Sequence, residues 1–447
     1  MLGEDQAEDR LRELLRDPGW SLPKWRDPQQ RIRRAARGQR VRLAGTAAGV
    51  AAALTAVAVP VGIGASGQVP GPAGPTPTAA PTLYAAYTKD SCLRCAAVIP
   101  ISTATNKAGN PVKVGEGPFT VAGTGTIAIT PDGKTAYVIN AAGTVIPIKT
   151  ATDRARKPIP VGGSSRLGGP DFIAITPDGK TAYVANAGLN AVTPISTATN
   201  TPGKAIPVGG APVWIAITPD GRTAYVLNED NKTHTGGTGT VTPISTATNK
   251  AGQPIPVGTA SIELAMTPDG KTVYADSGSH VTPISTATNK AGKPIHLDGN
   301  FGEGAIAITP NGKTAYVITL NPRTVVPIST ATNKAGKPIP VGLTPYFLIG
   351  QIAITPNGKT AYISTGVNSI IPINTATNTA GQPIQFGADC PTQRNSQPGH
   401  SIVITPDGKT AYVTCAGAVV PISTATNTPG KPIHVPLTDP ITIAIGP

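Results

Sequence analysis

The stretch from residue 173 to residue 209 reads IAITPDGKTAYVANAGLNAVTPISTATNTPGKAIPVG, and the chain repeats this phrase with small changes. Its core, T-P-(D/N)-G-(K/R)-T, recurs around seven prolines that are 42 to 50 residues apart: Pro131, Pro177, Pro219, Pro268, Pro310, Pro356 and Pro406. A repeat of this length is typical of a propeller blade built from four antiparallel strands. The sequence therefore predicts an all-β propeller.

The turn-forming residues of one repeat locate its four strands. Residues 173–175 form a short apolar run, and the proline and glycine of the following TPDG suit a tight hairpin turn that returns the chain over residues 181–184. A third strand over residues 191–197 leads into a turn at Asn200, since asparagine tolerates a left-handed backbone. The fourth strand, over residues 204–208, contains a proline and is expected at the outer edge of the blade.

The number of blades follows from counting. The third-strand phrase P-I-(S/N/K)-T-A-T occurs eight times, and the first-strand phrase also occurs eight times, but its last copy lies at residues 441–445. The repeats begin with a second strand near Leu83 and end with an unpaired first strand. We therefore predict eight blades, with the first blade completed by the C-terminal strand. A seven-bladed ring is the alternative if the terminal pieces do not pair.

The strings YVAN at residues 183–186 and YVIN at residues 137–140, together with the P-D-G-K turns, resemble the YVTN family of β-propeller repeats, which includes YncE-like proteins. The similarity covers about residues 83–447. One departure is a serine, such as Ser196, where the family usually has aspartate in V-I-D-T-A-T-N. The resemblance implies the propeller fold. It implies no particular reaction, because family members act as surface proteins, binding scaffolds and occasional enzymes.

The first 82 residues differ from the rest of the chain. Residues 1–42 contain a short helical pattern and a run of arginines, and residues 43–65 contain no charge and are long enough to cross a bilayer. Arginines on the N-terminal side favour a single-pass anchor with a cytoplasmic N-terminus, so residues 83–447 are expected outside the cell membrane. A cleaved signal peptide is the alternative. Residues 66–82 form a Pro/Gly/Thr linker.

The four cysteines agree with an oxidising compartment. Cys92 and Cys95 lie between the second and third strands of the first blade, while Cys390 and Cys415 belong to the last full repeat. We predict a Cys390–Cys415 disulfide and a local Cys92–Cys95 disulfide. A metal site formed by the four thiolates is the alternative.

The two faces of the predicted ring differ in chemistry. Connections 1–2 and 3–4 of each blade carry nearly identical turns and place lysines on one face: Lys107, Lys134, Lys180, Lys204, Lys250, Lys271, Lys290, Lys293, Lys313, Lys334, Lys337, Lys359, Lys409 and Lys431. Connections 2–3 and 4–1 vary and lie on the other face. There, at the expected mouth of the central channel or in variable loops, the candidate ligand-binding residues are Asp171, Phe172, Trp214, Glu263, Gln351, His400, Tyr346 and Phe347.

No sequence motif of a known catalytic site is present, and a series of tyrosines that begins with Tyr87 occupies one structural position of the repeat. We therefore predict a binding or scaffold module for a protein, glycan or peptide of the cell envelope, with no cofactor. Contact with the membrane is expected through residues 43–65 and through the lysine-rich face. No nucleic acid is expected, because no aromatic residues are interleaved with the arginines. The alternative is a metal-dependent lactonase- or lyase-like enzyme that uses Glu263 and His400.

Overall fold

The computed structural model describes residues 81–89, 92–116, 127–140, 142–163, 170–229, 239–258, 261–277, 280–297, 306–320, 323–341, 351–365, 368–387, 401–415, 417–435 and 439–446. These residues form eight separate antiparallel sheets. The only helical element in them is a single 3₁₀ turn, Ala187–Leu189. None of their helices has the length and apolar character needed to cross a bilayer. The predicted anchor at 43–65, like the rest of residues 1–80, lies outside the described residues.

Each sheet is one blade, and blades 1 to 8 are numbered from the blade that contains both ends of the described chain. The innermost strands, in blade order, are Asp439–Ile445, Ile127–Ile129, Pro170–Ile175, Pro212–Ile217, Ser261–Met266, Ile306–Ile308, Ile352–Ile354 and Ile402–Ile404. The second strands are Thr82–Lys89, Thr135–Asn140, Thr181–Asn186, Thr223–Asn228, Thr272–Ser277, Thr314–Leu320, Thr360–Ser364 and Thr410–Cys415. The third strands are Cys92–Ser102, Thr144–Lys149, Ala191–Ser196, Gly239–Ser245, His280–Ser285, Arg323–Ser329, Ser369–Asn374 and Ala418–Ser423.

The fourth strand of every blade is broken into two short pieces that both pair with the third strand. The first pieces are Lys107–Ala108, Arg154–Ala155, Thr201–Pro202, Lys250–Ala251, Lys290–Ala291, Lys334–Ala335, Thr379–Ala380 and Thr428–Pro429. The second pieces are Val112–Glu116, Ile159–Pro160, Ile206–Pro207, Ile255–Gly258, Ile295–His296, Ile339–Pro340, Ile384–Gln385 and Ile433–His434. The fourth strand therefore lies at the edge, as expected, but the predicted continuous strand is wrong. In blade 3 the Gly203 amide donates to the Pro194 carbonyl at 2.7 Å between the two pieces.

Ring closure by the C-terminal strand is confirmed. The strand Asp439–Ile445 runs antiparallel to Thr82–Lys89, with Leu83 opposite Ile445 and Ala85 opposite Ile443. All eight blades are thereby complete, and every described strand pairs only with strands between residues 82 and 445. Within the described part of the chain, residues 82–445 therefore supply every strand of the propeller.

The hairpin turn between the first two strands has the same hydrogen bonds in seven blades. In blade 3, the Thr176 hydroxyl donates to the Asp178 carboxylate at 2.6 Å, and the Lys180 amide donates to the same oxygen at 3.0 Å. These hydrogen bonds, the Thr176 bond first, lower the pKa of Asp178. Gly179 has a φ of 70°, and a Cβ there would lie 3.3 Å from Pro131 of the preceding blade. The turn sequence therefore serves both the hairpin and the packing of adjacent blades.

A closed series of tyrosine hydrogen bonds joins each blade to the next. The hydroxyl of Tyr183 in blade 3 donates to Asn249 of blade 4 at 2.7 Å, and Tyr412 of blade 8 donates to Asn106 of blade 1 at 2.6 Å. In blade 1 the tyrosine is Tyr84, which lies opposite Pro100 and donates to Asp153 of blade 2 at 2.8 Å. The assignment of Tyr87 to this position is therefore wrong. Blade 1 has no T-P-D-G turn to fix its alignment, and the register of the sheet sets the tyrosine three residues earlier.

Candidate functional site

Half of the predicted site residues occupy one position of the repeat, each in a different blade. It is the residue immediately before the apolar triplet of each innermost strand, here called the inner-ring position. Its described members are Phe172, Trp214, Glu263, Gln351, Ser401 and Thr442. All six are buried, with at most 5% of their surface exposed. Phe172, Trp214, Glu263 and Gln351 were predicted from the sequence as residues of the channel mouth, and the structure places their side chains inside the ring of blades.

These side chains are buried because they reach the neighbouring blade. Phe172 of blade 3 stacks on Trp214 of blade 4, with ring centroids 4.6 Å apart and an interplanar angle of 30°. The Gln351 amide oxygen of blade 7 accepts a hydrogen bond from the Ile402 backbone amide of blade 8 at 3.0 Å. The inner-ring position therefore supports contacts between blades, and its described members are at least 95% buried.

Within its own blade, the inner-ring residue faces the second strand. The Gln351 backbone N–H donates to the Ser364 hydroxyl at 2.7 Å in blade 7, and the Ser401 backbone N–H donates to the Thr414 hydroxyl at 2.8 Å in blade 8. Both pairs are neutral and hydrogen-bonded. The same arrangement of strands carries very different side chains in blade 5.

In blade 5 the two facing residues are acids. Leu264 pairs with Ala275, so Glu263 and Asp276 are the next residues along the two strands. One Glu263 carboxylate oxygen accepts a hydrogen bond from the Ile306 amide of blade 6 at 3.4 Å. Asp276 is completely buried, and neither of its carboxylate oxygens has a hydrogen-bond partner among the described residues. This is a costly environment for a carboxylate, because burial removes its hydration and no hydrogen bond from a described residue replaces it.

The electrostatics follow from this environment. Burial raises the pKa of Asp276 to about 8. Burial also raises the pKa of Glu263 well above its usual value, the nearby Asp276 charge raises it further, and the hydrogen bond from Ile306 opposes the rise. Asp276 therefore favours the protonated form near neutral pH, and burial shifts Glu263 in the same direction. Chemically, the pair can hold and release protons, and its carboxyl oxygens can accept hydrogen bonds or contact a cation.

Two further orphan polar atoms lie in blade 4, which packs against blade 5. The Trp214 indole nitrogen and the Asn228 side-chain oxygen are buried without a partner among the described residues. Trp214, Leu264 and Ala275 belong to the same hydrophobic cluster, so the indole and the acid-bearing strands share one packed region. Unsatisfied buried polar groups are rare in folded proteins, and all four such atoms in the described part of the chain lie in two adjacent blades.

Asp276 was missed by the sequence analysis, although a signal was present. The second strand reads T-A-Y-V-A-N in blade 3 and T-V-Y-A-D-S in blade 5, so an acid replaces Ala185 at a position that is fully buried. Only the structure shows that this acid lies close enough to Glu263 for its charge to raise the pKa of Glu263. A comparison of the repeats, position by position, would have identified it as an exception.

The other predicted site residues are only partly described. Asp171 lies in a bulge of the strand Pro170–Ile175, and its side chain is outside the described part. His400, Tyr346 and Phe347 lie outside the described residues. The metal alternative that combines Glu263 with His400 therefore remains a prediction. Within the described ranges, no group of three or more His, Cys, Asp or Glu side chains is arranged to hold a metal ion.

The cysteines are also partly described. Cys415 ends the second strand of blade 8, is buried, and is in a disulfide bond. Cys92 and Cys95 belong to the strand Cys92–Ser102, but their side chains are outside the described part, as is all of Cys390. The predicted pairing of Cys390 with Cys415, and of Cys92 with Cys95, stays a prediction.

The two faces of the ring differ in the lengths of their connections. On the face formed by connections 1–2 and 3–4, here called the turn face, all seven 1–2 connections have five residues and all eight 3–4 connections have four. On the opposite face, here called the variable face, the 2–3 connections have two to ten residues and the 4–1 connections have two to sixteen. Leu189, which is 46% exposed and lies in a 2–3 connection, is the one exposed large hydrophobic side chain among the described residues.

Comparison with solved structures agrees with the propeller fold. The chain is similar to the Kuenenia stuttgartiensis hydrazine synthase, at 22% identity over 70% of this chain and 95% of that chain, with a TM-score of 0.51. It is also similar to Citrobacter koseri AztD, at 13% identity over 82% of this chain and 98% of that chain, with a TM-score of 0.60. The dihydro-heme d1 dehydrogenase NirN matches at 16% identity over 80% of this chain and 74% of that chain, with a TM-score of 0.59.

No protein-family model and no curated protein matches the chain. The structural neighbours are at most 22% identical to this chain and are named as different kinds of protein, so the similarity shows the fold alone. The chain is a β-propeller repeat protein.

Proposed function

We propose that the protein is a binding or scaffold module that holds a protein, or a glycan or peptide of the cell envelope, on its variable face. The observation that carries this proposal is the contrast in connection lengths between the two faces. Eight copies of one unit that keep one face constant and diversify the other resemble the usual division between a rigid frame and recognition loops. We further propose that the repeats belong to the YVTN type and that the module is anchored outside the cell membrane by residues 43–65.

The chemistry of the turn face supports recognition by the other face. In each hairpin turn the aspartate or asparagine is occupied by the threonine hydroxyl and the lysine or arginine amide of the same turn. Such groups have little left to offer a specific ligand. The variable face instead presents Leu189 and carries the connections that contain Tyr346, Phe347 and His400. Aromatic and aliphatic side chains of this kind are typical anchors of binding interfaces.

Site-specific photo-crosslinking in cells that produce the protein tests the proposal. A photo-reactive amino acid at position 189 samples the variable face, and the same amino acid at position 180 samples the turn face as a matched control. We expect a discrete crosslinked partner from position 189 and none from position 180. Equal adducts from both positions, or a partner captured only from the turn face, would contradict the proposal.

A second candidate function rests on the Glu263–Asp276 pair. An enzyme with a metal at the centre of the ring, lactonase- or lyase-like, would explain why one blade buries two facing acids while blades 7 and 8 use neutral pairs. Elemental analysis of the purified propeller distinguishes the two candidates. Stoichiometric metal that is lost on Glu263→Gln supports the enzyme, and metal-free protein that still captures its partner supports the binding module.

A further inference from the structure

The basic charge of the propeller is concentrated on the turn face. Two kinds of segment form this face: the seven 1–2 turns, and in each blade the residues between the third strand and the second piece of the fourth strand. Together they contain eighteen lysines and arginines and six aspartates. The rest of residues 81–447 contains eight basic and eleven acidic residues. The turn face thus has a net charge of +12, and the remainder has a net charge of −3. All eighteen basic side chains are exposed.

The charges lie at one end of every blade, so they form a ring on one side of the propeller. Five hairpin turns pair their own lysine or arginine with an aspartate, as in Lys180–Asp178 at 3.5 Å. In two turns the aspartate is replaced by Asn311 or Asn357, so Lys313 and Lys359 have no carboxylate within the turn. Exposed pairs of this kind are weak and do not prevent a lysine from meeting another anion.

The chain also enters the propeller on the turn face. The Thr103 hydroxyl of the first 3–4 turn donates to the Pro81 carbonyl, and the Gly446 amide donates to the Thr82 carbonyl at 3.2 Å. Pro81, the first described residue, therefore lies beside the basic turns. The uncharged stretch 43–65 ends only fifteen residues before Pro81, a distance of at most about 50 Å in extended chain.

We infer that the turn face docks on a membrane surface that contains anionic phospholipid headgroups. A planar array of exposed basic side chains can meet a plane of negative charge at many points at once. The short tether from residue 65 would hold the array near such a surface. The inference goes beyond the proposed ligand binding, because it orients the variable face away from the membrane whatever the ligand is.

Vesicle binding of the fragment 81–447 tests the inference without the predicted anchor, since every described strand pairs within this fragment. The probes are vesicles of phosphatidylcholine with and without phosphatidylglycerol. We expect sedimentation with the anionic vesicles at low salt, release by about 0.5 M salt, and no binding to phosphatidylcholine alone. Each basic residue near an anionic surface strengthens binding about fivefold, so Lys290→Gln with Lys334→Gln should weaken it about 25-fold.

Lys113→Glu is the charge-matched control, because it also lowers the net charge by two. Lys113 is exposed, lies opposite Ala97, and is five strand residues, about 17 Å, from the turn-face end of the blade at Ser102. This exceeds the Debye length of about 10 Å at 0.1 M salt, so we expect binding within about twofold of wild type. Unchanged melting temperatures will show that both variants are folded.

Three outcomes would overturn the inference. One is a lack of binding to anionic vesicles at low salt, and another is an equal loss of binding in the double variant and the control. The third is a DNA duplex that competes with the vesicles and shows the same dependence on Lys290 and Lys334, which would assign the face to a soluble polyanion. None of these results bears on a partner crosslinked from position 189, so the two proposals fail separately.

Discussion

The Glu263–Asp276 pair should make the stability of the propeller fall as the pH rises from 5 to 8. The chain itself provides the variant that tests this. Blade 7 fills the equivalent positions with Gln351 and Ser364, which are buried and hydrogen-bonded. Glu263→Gln with Asp276→Ser therefore copies a neutral pair from one blade into another blade of the same ring.

The direction and size of the change in stability with pH follow from the raised pKa of Asp276. In the unfolded chain an aspartate has a pKa of about 3.9, and in the folded propeller burial raises the pKa of Asp276 to about 8. Between these values the folded state retains a proton that the unfolded state has released, so unfolding becomes more favourable as the pH rises. The contribution of protonated Asp276 to the free energy of unfolding is fully present below about pH 4 and is lost as the pH rises to about 8. A gap of about four units corresponds to about 6 kcal/mol as an upper value.

Differential scanning calorimetry between pH 5 and 9 measures the effect. A slope of about 1.4 kcal/mol per pH unit corresponds to a fall of about 2 °C per unit in the melting temperature of a domain this large. The double variant should have a flatter profile and a higher melting temperature than wild type at pH 8. Asp269→Asn is the control: it removes one acid from the same blade, but the pKa of Asp269 is lowered, so its contribution changes below pH 5. A flat wild-type profile, or a double variant with the wild-type slope, would refute the reasoning.

Other elements of the fold lead to further expectations. Tyr183→Phe should lower the free energy of unfolding by about 1–2 kcal/mol in urea titrations, because the Asn249 oxygen loses its donor; combined with Asn249→Gly, the two losses should not add, and full additivity would argue against the hydrogen bond. Deletion of residues 439–447 should abolish cooperative unfolding and promote oligomers in light scattering, since blade 1 loses its inner strand; a monomeric, cooperative product would contradict strand closure. Cys415→Ser should lower stability by about 2–4 kcal/mol, and peptide mapping of the oxidised protein should link residue 415 to Cys390; linkage to Cys92 or Cys95 would correct the pairing.

The fold was accessible from the sequence because one phrase is repeated with its turns intact. Each T-P-D-G-K hairpin fixes a register, and the copy at residues 441–445 shows how the ring closes. The predicted position of the repeated tyrosine was wrong in blade 1, where no T-P-D-G turn joins the first two strands. Only the cross-strand pairing of Tyr84 with Pro100 shows that Tyr84, and not Tyr87, holds the repeated tyrosine position.

The site was less accessible, because departures from a repeat identify unusual residues but not their surroundings. Phe172, Trp214, Glu263 and Gln351 were noticed since they replace small residues, yet their burial depends on how adjacent blades pack. Asp276 was overlooked because it lies in a strand that looks structural in every other copy. The ionisation of Asp276 depends on its burial next to Glu263, which lies on the first strand and is separated from it in sequence by the hairpin turn.

The acid pair in blade 5 is not required by the propeller. Gln351 with Ser364, and Ser401 with Thr414, occupy the same two positions without buried charge, and every blade otherwise keeps the same strand order. The acid pair lowers the stability of blade 5, whereas other blades have neutral residues at the same positions. A functional role explains such a feature better than a role in folding does. The neutral double variant separates these explanations. If it gains stability and retains its crosslinked partner and its metal content, the pair serves neither proposed function. If it gains stability and loses one of them, the lost property identifies what the acids are for.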